Sequence, residues 1–284
     1  MVRVYIQLDT ARLFFDTVGA QLEPGPDNMQ ERPTLLVLHG GPGFDHSTLR
    51  PYFDRFADDF QVIYLDHRGS GRSTGDPDTW KLDQWADDIA AFCEVLNISH
   101  PVVFGQSFGG MVAMHYAARH PQGPSKLILS STCAQFRLDE TKKMMRRLGG
   151  DVAAEMADDF FSNPSRERFD QYAQVCLPLY SQSENPDAAG FRNRAIQRPE
   201  VAVHFFGQEM KDMDMRGEVA GITCPTLVLG GALDPVTPPV CSEEIARAVG
   251  DNATLEMFDG CGHGVHRDDP DGAERVMRAF LLAA

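Results

Sequence analysis

The chain has 284 residues, 43% hydrophobic and 24% charged, with 41 acidic against 26 basic side chains and a formal charge of −15. That length and composition fit one large globular core with an inserted subdomain. The acidic balance argues against nucleic acid and anionic membrane surfaces as partners. No run approaches the roughly 18 apolar residues of a membrane span. The alternating, charged stretch from Met1 to Asp9 lacks the apolar centre of a signal peptide. Six cysteines (Cys93, Cys133, Cys176, Cys224, Cys241 and Cys261) are scattered without a C-x-x-C pair or a His/Cys ligand spacing. They read as free thiols of a reducing, cytoplasmic protein.

Residues 2–8 and 11–18 alternate as two strands joined at Asp9-Thr10, and 21–32 reads as a loop around Pro24-Gly25-Pro26. Thr34 to Leu38 is a continuous apolar run, the pattern of a parallel strand covered on both faces. It ends in His39-Gly40-Gly41-Pro42-Gly43, and a helix is expected from near Ser47 through Phe56. Phe60 to Leu65 is the next strand, ending in Asp66-His67-Arg68-Gly69-Ser70-Gly71-Arg72-Ser73. Apolar residues at 82, 85, 89, 92/93 and 96 have the three-and-four spacing of an amphipathic helix.

A strand from Val102 then runs into Gly105-Gln106-Ser107-Phe108-Gly109-Gly110, a helix follows to about His120, and Lys126 to Ser130 is again a strand. From Cys133 to Arg216 the text turns helical: 138–148, 151–161, 166–177 and a stretch around 201–210. Strand and helix alternate once more at 225–230, 239–249, 254–258 and 270–282. This order predicts an α/β protein with a doubly wound, mostly parallel sheet. Residues 1–132 and 217–284 form the core, and 133–216 an inserted all-helical cap over the strands' carboxyl edge.

Ligands in such sheets gather outside the carboxyl ends of the strands. Three of those ends carry what nucleophilic acyl transfer needs. Ser107 stands in Gly-x-Ser-x-Gly between a strand and a helix, where a strained serine needs small neighbours. Asp234 lies four residues beyond Gly230, and His263 five beyond Phe258. A serine hydroxyl needs a base for its proton, imidazole can return that proton, and a carboxylate fixes the imidazole's tautomer. Asp139 is the alternate position for the acid, and Asp259 stands too near His263 to orient it. His266 reads as the solvated start of the last helix. His39, Asp66 and Arg68 read as loop braces. The N–H groups of Phe108 and Gly41 are the expected oxyanion donors.

His39-Gly40-Gly41-Pro42-Gly43, Asp66 to Ser73 and Gly105 to Gly110 together resemble the proline iminopeptidase branch of the α/β-hydrolase superfamily, in element order along essentially the whole chain. The resemblance implies Ser107, Asp234 and His263 as a catalytic triad, Gly41 and Phe108 as the oxyanion hole, and no metal or organic cofactor. Relatives of this branch hold a prolyl amino group with glutamates. Here Pro235 occupies one such position and both tryptophans precede the elbow, so Glu209 is the remaining candidate, followed by Glu200 and Glu184.

Phe205, with Phe160, Phe161, Tyr172, Tyr180, Phe191 and Phe206, makes an apolar substrate pocket plausible. The expected reaction is hydrolysis of a small ester, lactone or short peptide amide through an acyl-enzyme. Carboxylesterase or lactonase action stands as the alternative to aminopeptidase action. Carbon–carbon bond hydrolysis uses the same residues, and a non-catalytic scaffold is opposed by the intact Ser/His/Asp set.

Overall fold

A computed structural model of the chain describes residues 4–183 and 193–283. Ten strands are present among them: β1 (Tyr5–Gln7), β2 (Arg12–Val18), β3 (Leu22–Pro24), β4 (Met29–Glu31), β5 (Thr34–Leu38), β6 (Gln61–Leu65), β7 (Val102–Gln106), β8 (Lys126–Ser130), β9 (Thr226–Gly231) and β10 (Ala253–Phe258). Eight of them form one sheet in the order β1-β2-β6-β5-β7-β8-β9-β10. The pairings β1–β2 and β2–β6 are antiparallel, and every pairing from β6 to β10 is parallel. Strands β3 and β4 form a separate hairpin inside 21–32, a stretch expected to be loop.

The continuous apolar runs are explained by what lies on each face. Leu36 and Leu38 of β5, Val103 of β7, Leu127 and Leu129 of β8 and Val228 of β9 enter one core cluster. Their neighbours Leu35, Val37, Val102, Phe104, Ile128, Leu227 and Leu229 enter a second cluster on the opposite face. Side chains alternate across a strand, so a strand buried on both faces carries no polar alternation. The edge strand β10 does alternate between half-buried and exposed positions.

The first face is covered by α1 (Leu82–Val95) and α2 (Phe108–Arg119), with α7 (Pro239–Val249) beside β9 and β10. The second is covered by Phe53, Phe56 and the helix α9 (Pro270–Leu282). The helix expected over 47–56 is instead two 3₁₀ turns, His46–Thr48 and Tyr52–Phe56. Pro51 lies between them, and proline cannot donate the backbone bond that would join them.

Between β8 and β9 the described elements are helical: α3 (Leu138–Ser162), α4 (Arg166–Val175), α5 (Pro199–His204), a π-turn at Phe205–Glu209 and α6 (Arg216–Val219). The two helices expected over 138–148 and 151–161 follow one another along α3, separated by a kink at Gly150, whose φ of 76° suits glycine. These segments bury a third cluster around Phe160, Phe169 and Tyr172, and Val236 of the core joins it. At the base of this insert the departing and returning chain meet, with Met215 N–H donating to Ala134 C=O at 2.9 Å. No helix of the described residues is long and apolar enough to cross a membrane.

One buried ion pair ties the 66–73 loop to α1. Arg68 is 1% exposed and Asp88 3%. Arg68 donates from Nε and Nη2 to the two Asp88 oxygens at 2.7 and 2.6 Å. Burial pushes the Asp88 carboxyl above its ordinary range despite the guanidinium beside it. A carboxyl left without Arg68 can take up a proton, whereas a guanidinium left without Asp88 cannot lose one. Asp88→Ala is therefore expected to lower stability by about 3–5 kcal/mol, and Arg68→Met by less. Urea unfolding of both variants checks this order; equal losses, or a larger one for Arg68→Met, would contradict it.

Candidate active site

Ser107 sits between β7 and α2 with φ 53° and ψ −118°, a strained conformation for a residue with a side chain. Close contacts hold it there. A Cβ on Gly109 would stand 2.3 Å from the Leu38 carbonyl oxygen, and one on Gly105 2.4 Å from that of Gly109. Glycine is required at both positions because backbone passes directly against backbone. The Ser107 N–H donates to Ser130 C=O at 3.0 Å, and Thr132 Oγ1 donates to Ser107 C=O at 2.7 Å. The side chain is left half-buried at the N-terminus of α2.

Asp234 is fully buried in the loop after β9. Its Oδ1 accepts the N–H groups of Val236 and Thr237, each at 2.9 Å, and its Oδ2 accepts the Thr237 hydroxyl at 2.9 Å. His263 Nδ1 lies 3.0 and 2.9 Å from the two carboxylate oxygens. The carboxylate thus fixes the imidazole with a proton on Nδ1 and leaves Nε2 as the acceptor. Thr237 was not singled out from the sequence. The signal was there: a turn aspartate often takes the N–H groups two and three residues on.

The loop after β5 is braced from beneath. His39 Nδ1 lies 3.0 Å from Gly40 C=O, and its Nε2 lies 3.2 Å from the His67 N–H. Burial holds both imidazoles below their ordinary pKa. A neutral His39 protonated on Nδ1 satisfies both contacts. Gly41 then turns with φ 62°. Among the described residues, neither the Gly41 N–H nor the Phe108 N–H donates a hydrogen bond within the protein.

Asp66 lies behind this loop. Burial alone would raise its carboxyl, but the His46 imidazole at 2.6 Å prevails and holds it below the ordinary range. Asp45, His46 and Asp66 bring ligand atoms within 4.8 Å of one another and form the described cluster that could hold a cation. Their lone pairs are already committed: Asp45 to Arg72 at 2.6 Å and to the Ser47 hydroxyl, Asp66 to His46 and to the Arg72 N–H. The Arg72 charge occupies the electrostatic place of a metal, and the cluster braces the loops expected to need bracing.

Ser107, His263, Gly41 and Phe108 line one cavity of about 90 Å³. The insert supplies most of its far wall, from Phe160, Phe161, Phe169, Tyr172, Phe205 and Phe206. Phe205 is fully buried, edge-on to Phe108 with ring centroids 4.9 Å apart. No Asp or Glu among the described residues lines this cavity.

Other expected residues lie elsewhere. Glu209 does not line the cavity; its Oε2 accepts the Leu82 N–H at 2.8 Å and so caps the start of α1. Glu200 faces a separate depression beside Trp80, Arg166 and His204. Glu184 and Phe191 fall outside the described residues. Asp139 and Asp259 are both exposed.

His266, expected at a solvated helix start, is 3% exposed among Tyr52, Phe53 and Phe104. The charged run Arg267-Asp268-Asp269 misled the reading. A short helix, α8 (Val265–Asp268), turns His266 inward beside the buried Val265, while Arg267 and Asp268 stay half-buried. Burial holds its pKa well below the ordinary value. A histidine kept neutral there packs as an aromatic ring.

The geometry has relatives. A profile of the alpha/beta hydrolase fold matches residues 33–270. The chain is 30% identical over 274 residues to a proline iminopeptidase of Clostridium botulinum, covering 87% of this chain and 89% of that one. It is 28% identical over 281 residues to proline iminopeptidase PfmaB of Pestalotiopsis fici, covering 94% and 98%. A thermophilic esterase from Thermogutta terrifontis matches with a TM-score of 0.75 at 25% identity, over 99% of this chain and 98% of that one. A serine held at a strand-to-helix turn, a parallel sheet feeding loops to one cavity, and a profile match across most of the length lead to one conclusion: the chain belongs to the α/β-hydrolase fold family and is a hydrolase.

Proposed function

We propose that the chain is a serine hydrolase that cleaves a carboxylic ester or lactone through an acyl-enzyme, with Ser107 as nucleophile, His263 as base and acid, and Asp234 holding the imidazole. The observation that carries the reading is the Asp234–His263 pair opening onto the same cavity as a strained Ser107. Ser107 Oγ attacks the substrate carbonyl and passes its proton to His263 Nε2. The carbonyl oxygen becomes anionic and is met by the N–H groups of Gly41 and Phe108. Collapse breaks the bond to the leaving group, which takes the proton from His263. Water then repeats the sequence on the acyl-serine, giving the acid and restoring the hydroxyl. Each step uses groups of the protein, the substrate and one water, and calls on no metal or organic cofactor.

The cap, residues 133–216 in this reading, selects the substrate. Its aromatic wall favours an apolar acyl or alkoxy group, since apolar contact is the chief attraction it offers. A protonated prolyl amine would enter a cavity with no carboxylate among the described lining residues, at a large desolvation cost. That supports an ester or lactone over an aminopeptidase substrate. Aminopeptidase action is the second reading, and the two relatives named proline iminopeptidase favour it. The six free, buried thiols fit a cytoplasmic setting.

A panel of p-nitrophenyl esters, acyl lactones and proline anilide separates these readings. The expected result is turnover of short apolar esters or lactones with little of the anilide; the reverse order would transfer the reading to the aminopeptidase. Ser107→Ala is expected to abolish turnover and labelling by a fluorophosphonate, and retained activity would end the proposal. Thr237→Val removes one of the hydroxyl and N–H donors on Asp234, a change on the order of 1 kcal/mol. It is expected to lower kcat about fivefold to tenfold with KM unchanged, as steady-state kinetics would read.

A further inference from the structure

The backbone of His263 is held by the insert. Its N–H donates to Tyr180 C=O at 2.6 Å, and the Tyr180 ring meets the imidazole edge-on with centroids 4.9 Å apart. Residue 262 must be glycine for the same approach, because a Cβ there would stand 2.4 Å from the Tyr180 carbonyl oxygen. The Tyr180 hydroxyl lies 2.7 Å from that of Tyr172, and both rings line the cavity. The stretch 177–183 therefore touches substrate space on one side and the imidazole on the other.

One carboxylate fastens this stretch. Asp268 Oδ2 accepts the N–H of Gly262 at 2.7 Å and that of Gln182 at 3.1 Å. Its Oδ1 accepts the N–H of Ser183 at 3.1 Å and the Ser181 hydroxyl at 2.5 Å. Four donors from two segments converge on two oxygens, and an ionised carboxylate is the side chain that offers acceptors alone. One segment is the loop that carries His263, the other the insert.

We propose that Asp268 is a positioning residue for the imidazole of His263, acting by clamping the insert segment 180–183 onto the 262–263 loop. The proposal rests on His263 being the catalytic base. It makes the orientation of the base depend on the seating of the insert. An asparagine is no conservative replacement here, because its amide N–H₂ would face two of the four donors. A glutamate keeps the acceptor oxygens one methylene further out.

The test uses the full chain with a neutral p-nitrophenyl ester, together with the downfield proton NMR signal of the His263 Nδ1–H facing Asp234. Asp268→Asn and Asp268→Ala are expected to lower kcat tenfold to a hundredfold with KM within about threefold, the scale of a base displaced by a fraction of an ångström. Both are expected to weaken the downfield signal, with partial recovery of each in Asp268→Glu. Ser181→Ala removes a single donor, preserves the fold and is expected to move kcat and signal the same way by a few-fold; it decides the matter if the Asp268 variants do not fold.

An unchanged signal and kcat in folded variants, or a loss confined to KM, would overturn the proposal. Ser107→Ala keeps the two failures apart. It should abolish turnover and leave the downfield proton intact, so activity surviving in that variant counts against the hydrolase reading while the Asp268 effect on the proton is still read.

Discussion

Backbone pressed against backbone at Gly105 and Gly109 is the constraint from which the site follows. With no side chain at either position, α2 closes onto β5 and β7 until a methyl group would overlap the Leu38 and Gly109 carbonyl oxygens. The chain between them has nowhere to relax, and Ser107 is driven into its positive φ. The strain costs roughly 1–3 kcal/mol and is offset by the bonds of its N–H and C=O to Ser130 and Thr132. Alanine at either glycine would push the helix away and release the serine from the cavity.

Around that turn the fold buries charge and then satisfies it. Asp234, Asp66 and Asp45 are all fully buried, and each collects several donors: backbone N–H groups and a hydroxyl for Asp234, an imidazole and N–H groups for Asp66, Arg72 and Ser47 for Asp45. Hydrogen bonds to a charged acceptor contribute about 1.5–3 kcal/mol each, and leaving one unmade costs comparably. The loops at the carboxyl edge are consequently tied by hydrogen bonds to buried carboxylates. The aromatic residues meet the cavity, while these three carboxylates stay behind the loops that face it.

The insert is sewn to the core through those same loops. Arg198 N–H donates to Gly43 C=O at 2.7 Å, and its Nε to Gly71 C=O at 3.0 Å. Thr141 Oγ1 donates to Val236 C=O at 2.9 Å, beside Asp234. Glu209 caps α1, and Asp268 gathers the insert onto the loop of His263. The loops after β5, β9 and β10 that reach the cavity are thus each bonded to the insert.

What the sequence determined by itself was whatever depends on neighbours in the chain. Continuous apolar runs announced strands covered on both faces, the glycine spacing announced the turn at Ser107, and the strand ends named Asp234 and His263, which the fold pairs. The breaks that local text did not announce, such as the hairpin within 21–32 and the interruption at Pro51, also have local causes too weak to outweigh the surrounding pattern.

Tertiary structure alone decided the partners of long polar side chains. Glu209 was read toward a substrate amine and finds an N–H 127 positions away, and Asp268, which carried no expectation as a site residue, clamps a segment 86 positions back. His266 sits in a charged stretch and is buried among aromatic rings. Periodicity and turn chemistry act over a few residues, whereas which donor meets which acceptor is set by the stacking of surfaces distant in sequence. No short-range pattern encodes that stacking.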